Sequence, residues 1–189
     1  MTTLIQPITE RLQLRQWREE DKPAFAAMNA DPRVMEFFPA PLTRKESDAG
    51  VDRGRSYIEK HGWGFWALEL RETGEFLGLV GIKNVGDELP FAPAVEIGWR
   101  LAHPYWGKGY AVEAARASLE VAFAVLRLSE VVSFTALQNS RSMRVMERLG
   151  MQRDPQVFEH PQVPVESPLL RHCLYRLRAD QWYRDNPEK

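Results

Sequence analysis

Apolar and polar residues alternate in "ERLQLRQW", where Leu12 and Leu14 are separated by polar or charged neighbours, and this period of two predicts a half-buried strand. The next stretch, "REEDKPAFAAMNA", opens acidic, places Pro23 near its first turn and stops before Asp31-Pro32, which predicts a helix. A second helix is expected over 43–60, with Thr43 and Glu46 spaced as a capping box, although Gly50 and Gly54 weaken it. Three strand-like runs follow: "GFWALEL", "EFLGLVGIKNV" and "AVEIGWRL". The short link "RETG" predicts that the first two form an antiparallel hairpin. In "YAVEAARASLEVAFAVL" the apolar positions 112, 115, 119, 122 and 126 repeat at helical spacing. "EVVSFTAL" reads as a strand and "SRSMRVMERL" as a short helix, with Gly150 where a helix should end. "LRHCLYRLR" reads as a last strand before a polar tail. The order is β-α-α, three strands, then α-β-α-β-β, an α/β arrangement with a mixed sheet and helices on its faces.

Repeats, low-complexity tracts and flexible linkers are missing from the sequence, so one domain over 1–189 is expected. A formal net charge of -1 advertises no global field for nucleic acid. The single cysteine, Cys173, cannot form an internal disulfide, and His61, His103, His160 and His172 lack the i, i+4 pairing of a metal-binding helix, so no metal is expected. The start, "MTTLIQPITERLQL", lacks a basic region followed by an apolar run. No apolar stretch approaches the roughly 18 residues of a membrane span, so a cytoplasmic location is expected.

Two places carry chemistry. In "HPYWGKGYAVEA" a strand ends near Leu101, Gly107 and Gly109 flank Lys108, and a helix begins at Tyr110. The first N–H groups of that helix lack internal partners, the helix dipole adds positive charge, and glycine lets an anion approach bare backbone. A plain connecting turn is the alternative, since short glycine patterns are weak evidence and neither G-x-x-x-x-G-K-[ST] nor G-x-G-x-x-G is satisfied. Further on, Asn139 and Ser140 precede a short helix and Ser142 lies in its first turn. Simple helix capping would also explain them.

Taken together, "AVEIGWRLAHPYWGKGYAVEA" and "NSRSMRVMERLGM" resemble the pyrophosphate-binding and second coenzyme A-contacting motifs of the GCN5-related N-acetyltransferase (GNAT) superfamily. "TERLQLRQW", "MNADPRVMEFF" and "LLRHCLYRLRADQW" extend the likeness to its ribosomal-protein N-terminal acetyltransferase (RimJ/RimL-like) branch, over roughly residues 8 to 183. The resemblance implies the GNAT fold, a mixed but mostly antiparallel sheet of about six to seven strands flanked by helices. It also implies acetyl-CoA as cosubstrate and an amine as acceptor. The pyrophosphate would rest on residues 107–111, namely Gly107, Lys108, Gly109, Tyr110 and Ala111. Trp106 stands where the motif [QR]-x-x-G-x-[GA] has a polar residue, so no side-chain bond from it is implied. Trp99 and Leu101, near the end of the preceding strand, would face the cofactor and offer oxyanion donors from the backbone.

Acetyl transfer needs a neutral amine, a polarised carbonyl and a stabilised leaving thiolate. A protein α-amine, with a pKa of about 7.7–8.0, needs less help than a lysine at about 10.4. By resemblance Glu96 is the strand candidate for the base, because Phe134 occupies the position where other branch members carry a glutamate. Met146 stands where many superfamily members have the tyrosine that serves the thiolate. The branch's N-x-x-S pattern instead assigns Ser142 to the thiol and Asn139 to the pantetheine arm. Phe37, Phe38, Trp63, Phe158 and His160 are candidate liners of the acceptor site, each with a core role as the alternative. An N-acetyltransferase, acting as monomer or homodimer on a peptide N-terminus or a small amine, is the leading reading. A non-catalytic acyl-CoA-binding module of the same fold is the rival, and O-acetylation or a longer acyl donor stays open.

Overall fold

The computed structural model describes all residues, 1–189. Its first half is β1 (Leu12–Arg15), α1 (Asp21–Ala30), α2 (Arg44–His61), β2 (Phe65–Leu70), β3 (Phe76–Asn84) and β4 (Val95–Leu101). Then follow α3 (Tyr110–Glu120), β5 (Glu130–Ala136), α4 (Ser140–Arg148), β6 (Gln152–Glu159), β7 (Arg171–Arg178) and α5 (Ala179–Asp185). The strands form one seven-stranded sheet in the order β1-β2-β3-β4-β5-β7-β6. Every neighbouring pair is antiparallel except β4 and β5. The expected mixed, mostly antiparallel sheet with flanking helices is therefore the architecture.

Local signals act where the pattern placed them. The Thr43 side chain accepts from the Glu46 amide and the Glu46 carboxylate accepts from the Thr43 amide, a reciprocal cap for α2. Gly54, which argued against this helix, is there for packing: a Cβ at that position would come 2.9 Å from the indole nitrogen of Trp17. Gly150 follows α4 with a φ of 81°, a left-handed turn that suits glycine. The run 110–126 is helical throughout, but Val121–Val125 is π-helical. That extra residue per turn breaks the simple 3.6 period and turns Phe123 onto Trp182, with ring centroids 5.8 Å apart.

The first of the two final strands expected is β6, which pairs with β7 through Phe158 and His172. One C-terminal expectation is corrected. The polar tail contains α5, whose Trp182 is buried, so one aromatic docks a helix that is otherwise polar. No helix is long and apolar enough to cross a membrane.

Candidate functional site

The parallel pair β4 and β5 is joined at one register point, Glu96 opposite Val132. Just beyond it the Ser133 hydroxyl donates to the Ile97 carbonyl at 2.9 Å, closing the base of the split. From Gly98 onward β4 pairs only with β3 and β5 only with β7. Backbone groups alternate between the two edges of a strand, so the Trp99 amide points to the same edge as Ile97, into the opening. A sheet split in this way offers unpaired backbone polar groups inside a fold, which a ligand with amides of its own can satisfy.

At the open end, β4 passes through a 3-10 turn, His103–Tyr105, into the glycine turn before α3. Gly107 and Gly109 adopt φ of 73° and 80°, and nothing lies within 4 Å of where a Gly107 Cβ would stand. Gly109 is the N-cap of α3 and supplies no side-chain bond, so the first amides of the helix remain free for an anion. Trp106 does not face that cradle: its indole N–H donates to the Leu101 carbonyl at 2.9 Å and ties the turn back to β4. Arg141 lies over the Trp106 ring at 4.6 Å. A groove of about 410 Å³ borders them, lined by Pro32, Arg33, Glu36, His103, Trp106 and Arg141. Lys108 is exposed, while Tyr110 and Ala111 are half-buried at the start of α3.

Arg11, which the sequence pattern did not single out, organises this turn. Its Nη1 donates to the Lys108 carbonyl at 2.9 Å, and its guanidinium lies 4.5 Å over the Tyr110 ring. Its Nε donates to Glu113 at 2.6 Å, and the other carboxylate oxygen of Glu113 accepts from Thr9 and from the Arg11 amide. Burial opposes the charged form of Glu113, but these bonds win and hold its pKa below the usual range. The one acidic residue in the first turn of α3 is thereby neutralised beside the anion cradle.

Across the split stands the start of α4. Asn139 caps it: its Oδ1 accepts from the Ser142 amide at 3.2 Å, and its Nδ2 donates to Thr135 Oγ1 at 2.9 Å and to Ser142 Oγ at 3.1 Å. The Trp99 indole N–H donates to the same Ser142 oxygen at 3.3 Å. A hydroxyl has one proton and two acceptor positions. Both acceptor positions of Ser142 are thus engaged, and its proton has no partner within the protein. Met146 is fully buried and belongs to the core.

On the other face of β4 lies Glu96, opposite Lys83 on β3. Burial without a hydrogen-bond partner raises the Glu96 pKa to about 7, and Lys83 only partly offsets it. Tyr57 lies close enough for the Glu96 charge to disfavour its ionisation. Trp63 packs against Tyr57 at 5.8 Å. Phe65, passed over in the sequence, has its ring tip 3.2 Å from where a Gly98 Cβ would be, so it floors the stretch just beyond Glu96. Phe38 covers Arg100, and Phe37 packs under Arg141.

Phe158 and His160 belong to a separate group with Phe91, Phe134 and His172, with His160 and His172 centroids 4.9 Å apart. His160 Nδ1 accepts from the Gln162 amide, and the ring hydrogen-bonds neither Glu96 nor Ser142. Burial, then the His160 charge, pushes the His172 pKa down to about 4. The structure thus brings Trp99, Asn139 and Ser142 together and sets Glu96 on the opposite face of β4, leaving His160 in an aromatic cluster of its own.

An acetyltransferase (GNAT) domain family matches residues 11–152. The chain is 31% identical over 177 residues to the uncharacterized N-acetyltransferase YnaD of Bacillus subtilis, covering 92% of this chain and 97% of that protein. It is 28% identical over 201 residues to the FsC-acetyl coenzyme A-N(2)-transacetylase of Aspergillus fumigatus, covering 97% and 81%. The solved ribosomal-protein-S5-alanine acetyltransferase of Vibrio fischeri has the same fold, with a TM-score of 0.72, 18% identity and coverage of 94% and 98%.

Proposed function

Because the chain belongs to the acetyltransferase (GNAT) family, we propose that it moves an acetyl group from acetyl-CoA to a primary amine by direct attack, with the cosubstrate lying in the split between β4 and β5. The observation that carries this reading is the Ser142 hydroxyl. Trp99 and Asn139 both donate to its oxygen, and its proton has no acceptor within the protein. A thioester sulfur becoming a thiolate would be such an acceptor.

Acetyl-CoA supplies the activated carbonyl and a thiol leaving group of pKa near 8.5, by analogy with cysteine. The amides at the start of α3 and in the 107–111 turn hold the pyrophosphate, with Lys108 and the dipole adding positive charge. The Trp99 amide donates to the carbonyl oxygen as negative charge develops there. Glu96 takes a proton from the amine, directly or through one water, as the nitrogen forms its bond to the carbonyl carbon. Ser142 donates a hydrogen bond to sulfur as the carbon–sulfur bond breaks. The immediate products are the N-acetyl compound, the thiolate and protonated Glu96; the thiolate becomes the free thiol by taking a proton from solvent, to which Glu96 returns its own. A base near 7 is matched to an α-amine near 8 much better than to a lysine near 10.

The names of the relatives support N-acetylation: YnaD is called an N-acetyltransferase and the Aspergillus protein an acetyl coenzyme A transacetylase. The test is thiol release from acetyl-CoA against peptides with free N-termini, N-blocked lysine peptides, polyamines and amino acids, with product masses recorded. A gain of one acetyl group on an α-amine supports the proposal. Tight acetyl-CoA binding with no acceptor consumed across the panel would favour the acyl-CoA-binding module instead.

A further inference from the structure

Two arginines are tucked between the sheet and the first helices, and they are treated differently. Arg15 is met by two carboxylates: its Nη1 and Nη2 donate to Asp21 at 2.8 and 2.9 Å, and its Nε donates to Glu69 at 2.6 Å. Arg100 is met by none. Its Nη1 donates to the neutral amide oxygen of Asn29 at 2.8 Å, and the Phe38 ring lies 4.3 Å from its guanidinium carbon. Asn29 is fully buried and held in turn by a bond to the Ser47 hydroxyl at 3.0 Å, so Arg100 is anchored by uncharged groups. Its Nε is sealed from water with no partner, and its Nη2 makes no hydrogen bond.

Those two nitrogens form one edge of the guanidinium, the fork that pairs with a carboxylate through two parallel bonds. Burial lowers the Arg100 pKa to about 10, and no carboxylate offsets that cost. The alternation of β4 puts Arg100 on the same face as Glu96, with side-chain-free Gly98 between them. Four residues of strand separate the two Cα atoms by about 13 Å, too far for a direct pair. The Phe65 ring covers Gly98, so a small molecule or a chain end lying across that ring would reach both.

We propose that Arg100 reads a carboxylate carried by the acceptor itself, so that the substrate class is an amine with a nearby acidic group, its nitrogen turned toward Glu96. This rests on the acyl-transfer reading given above. The carboxylate has two sources, the main-chain carboxylate of a free amino acid or the acidic side chain of a peptide's first residues. Phe38, exposed at 37% on the loop after α1, lies against the guanidinium, and the proposal requires it to give way where a carboxylate takes the Nε edge.

The experiment uses matched acceptors on the full chain. Free amino acids are compared with their carboxamides, and peptides beginning with Glu or Asp with those beginning with Gln or Asn. In the wild type the acid of the preferred pair is expected to exceed its amide at least tenfold in kcat/KM. In Arg100→Gln that preference should fall to within twofold while acetyl-CoA affinity holds. Asn29→Asp gives Arg100 an internal partner, so it should fold at least as stably and lose the same preference. Equal use of acid and amide by the wild type would overturn the proposal. So would a preference that survives in Arg100→Gln, or a loss of acetyl-CoA affinity there, which would make Arg100 a cosubstrate ligand. Calorimetric titration of the same pairs into the CoA-saturated protein separates the two readings. Acid-selective binding lost in Arg100→Gln without turnover upholds the carboxylate site and sinks the transfer reading. Turnover indifferent to the carboxylate does the reverse.

Discussion

Replacing Glu96 by Gln tests the assignment of the base through stability as well as rate. The folded protein holds the Glu96 pKa at about 7, against 4.5 for the free side chain. Between those pH values the folded chain keeps a proton that the unfolded chain releases, so unfolding becomes easier as pH rises. The full difference corresponds to about 3 kcal/mol, and partial solvent access reduces the measurable part to about 1–3 kcal/mol. Glutamine has the shape of the protonated acid and never ionises. The variant should therefore match the wild type near pH 5 and exceed its stability by about 1–3 kcal/mol near pH 8, in urea unfolding followed by tryptophan fluorescence. In the same samples kcat/KM of the wild type should rise with pH through about 7. In Glu96→Gln only the titration of the amine itself, near 8, should remain, with the rate down by about 10²–10⁴. A stability difference that is the same at pH 5 and pH 8 would refute the reasoning, because it would mean that no proton is held at Glu96. A limb near 7 that persists in Glu96→Gln, beside that of the amine, would transfer the base role to another group.

Ser142→Ala should lower kcat by about 10–100-fold with little change in acetyl-CoA affinity, since only the leaving sulfur loses a donor; an unchanged kcat in thiol release would remove Ser142 from the chemistry. Arg11→Ala should cost under about 1 kcal/mol of stability, as exposed pairs do, yet weaken acetyl-CoA about tenfold by leaving Glu113 charged beside the cradle. Adding Glu113→Gln should recover most of that affinity in calorimetry. Trp182→Ala should destabilise the fold by about 3–5 kcal/mol, whereas Trp182→Phe, which removes the unpartnered N–H together with part of the indole but keeps an aromatic ring, should cost only about 1–2 kcal/mol in thermal unfolding.

Local features were legible in the sequence and long-range ones were not. The Thr43–Glu46 cap, the Gly107–Gly109 turn and the Asn139–Ser142 pair each lie within a few residues, so their geometry follows from spacing. The role of Arg11 depends on Glu113, 102 residues away, and no period announces such a pair. Arg100 sat inside a quoted strand, where a charge at a half-buried position was an available signal, but its partner Asn29 is 71 residues distant. Trp63 and His160 stand out in the sequence only as aromatic residues near the right segments. The structure puts Phe65 over Gly98 and gathers His160 with Phe134 and Phe158, which depends on strand register rather than on residue type. The helix at Ala179–Asp185 was hidden because a single buried tryptophan makes no periodic pattern.

The most direct measurement is a crystal structure of the protein with a non-transferable acetyl-CoA analogue. The account predicts the analogue in the split between β4 and β5, its pyrophosphate on the amides of 107–111, its carbonyl oxygen at the Trp99 amide and its sulfur within hydrogen-bond distance of Ser142 Oγ. An analogue seated elsewhere, or one whose sulfur lies away from Ser142 with Trp99 and Asn139 unmoved, would contradict it.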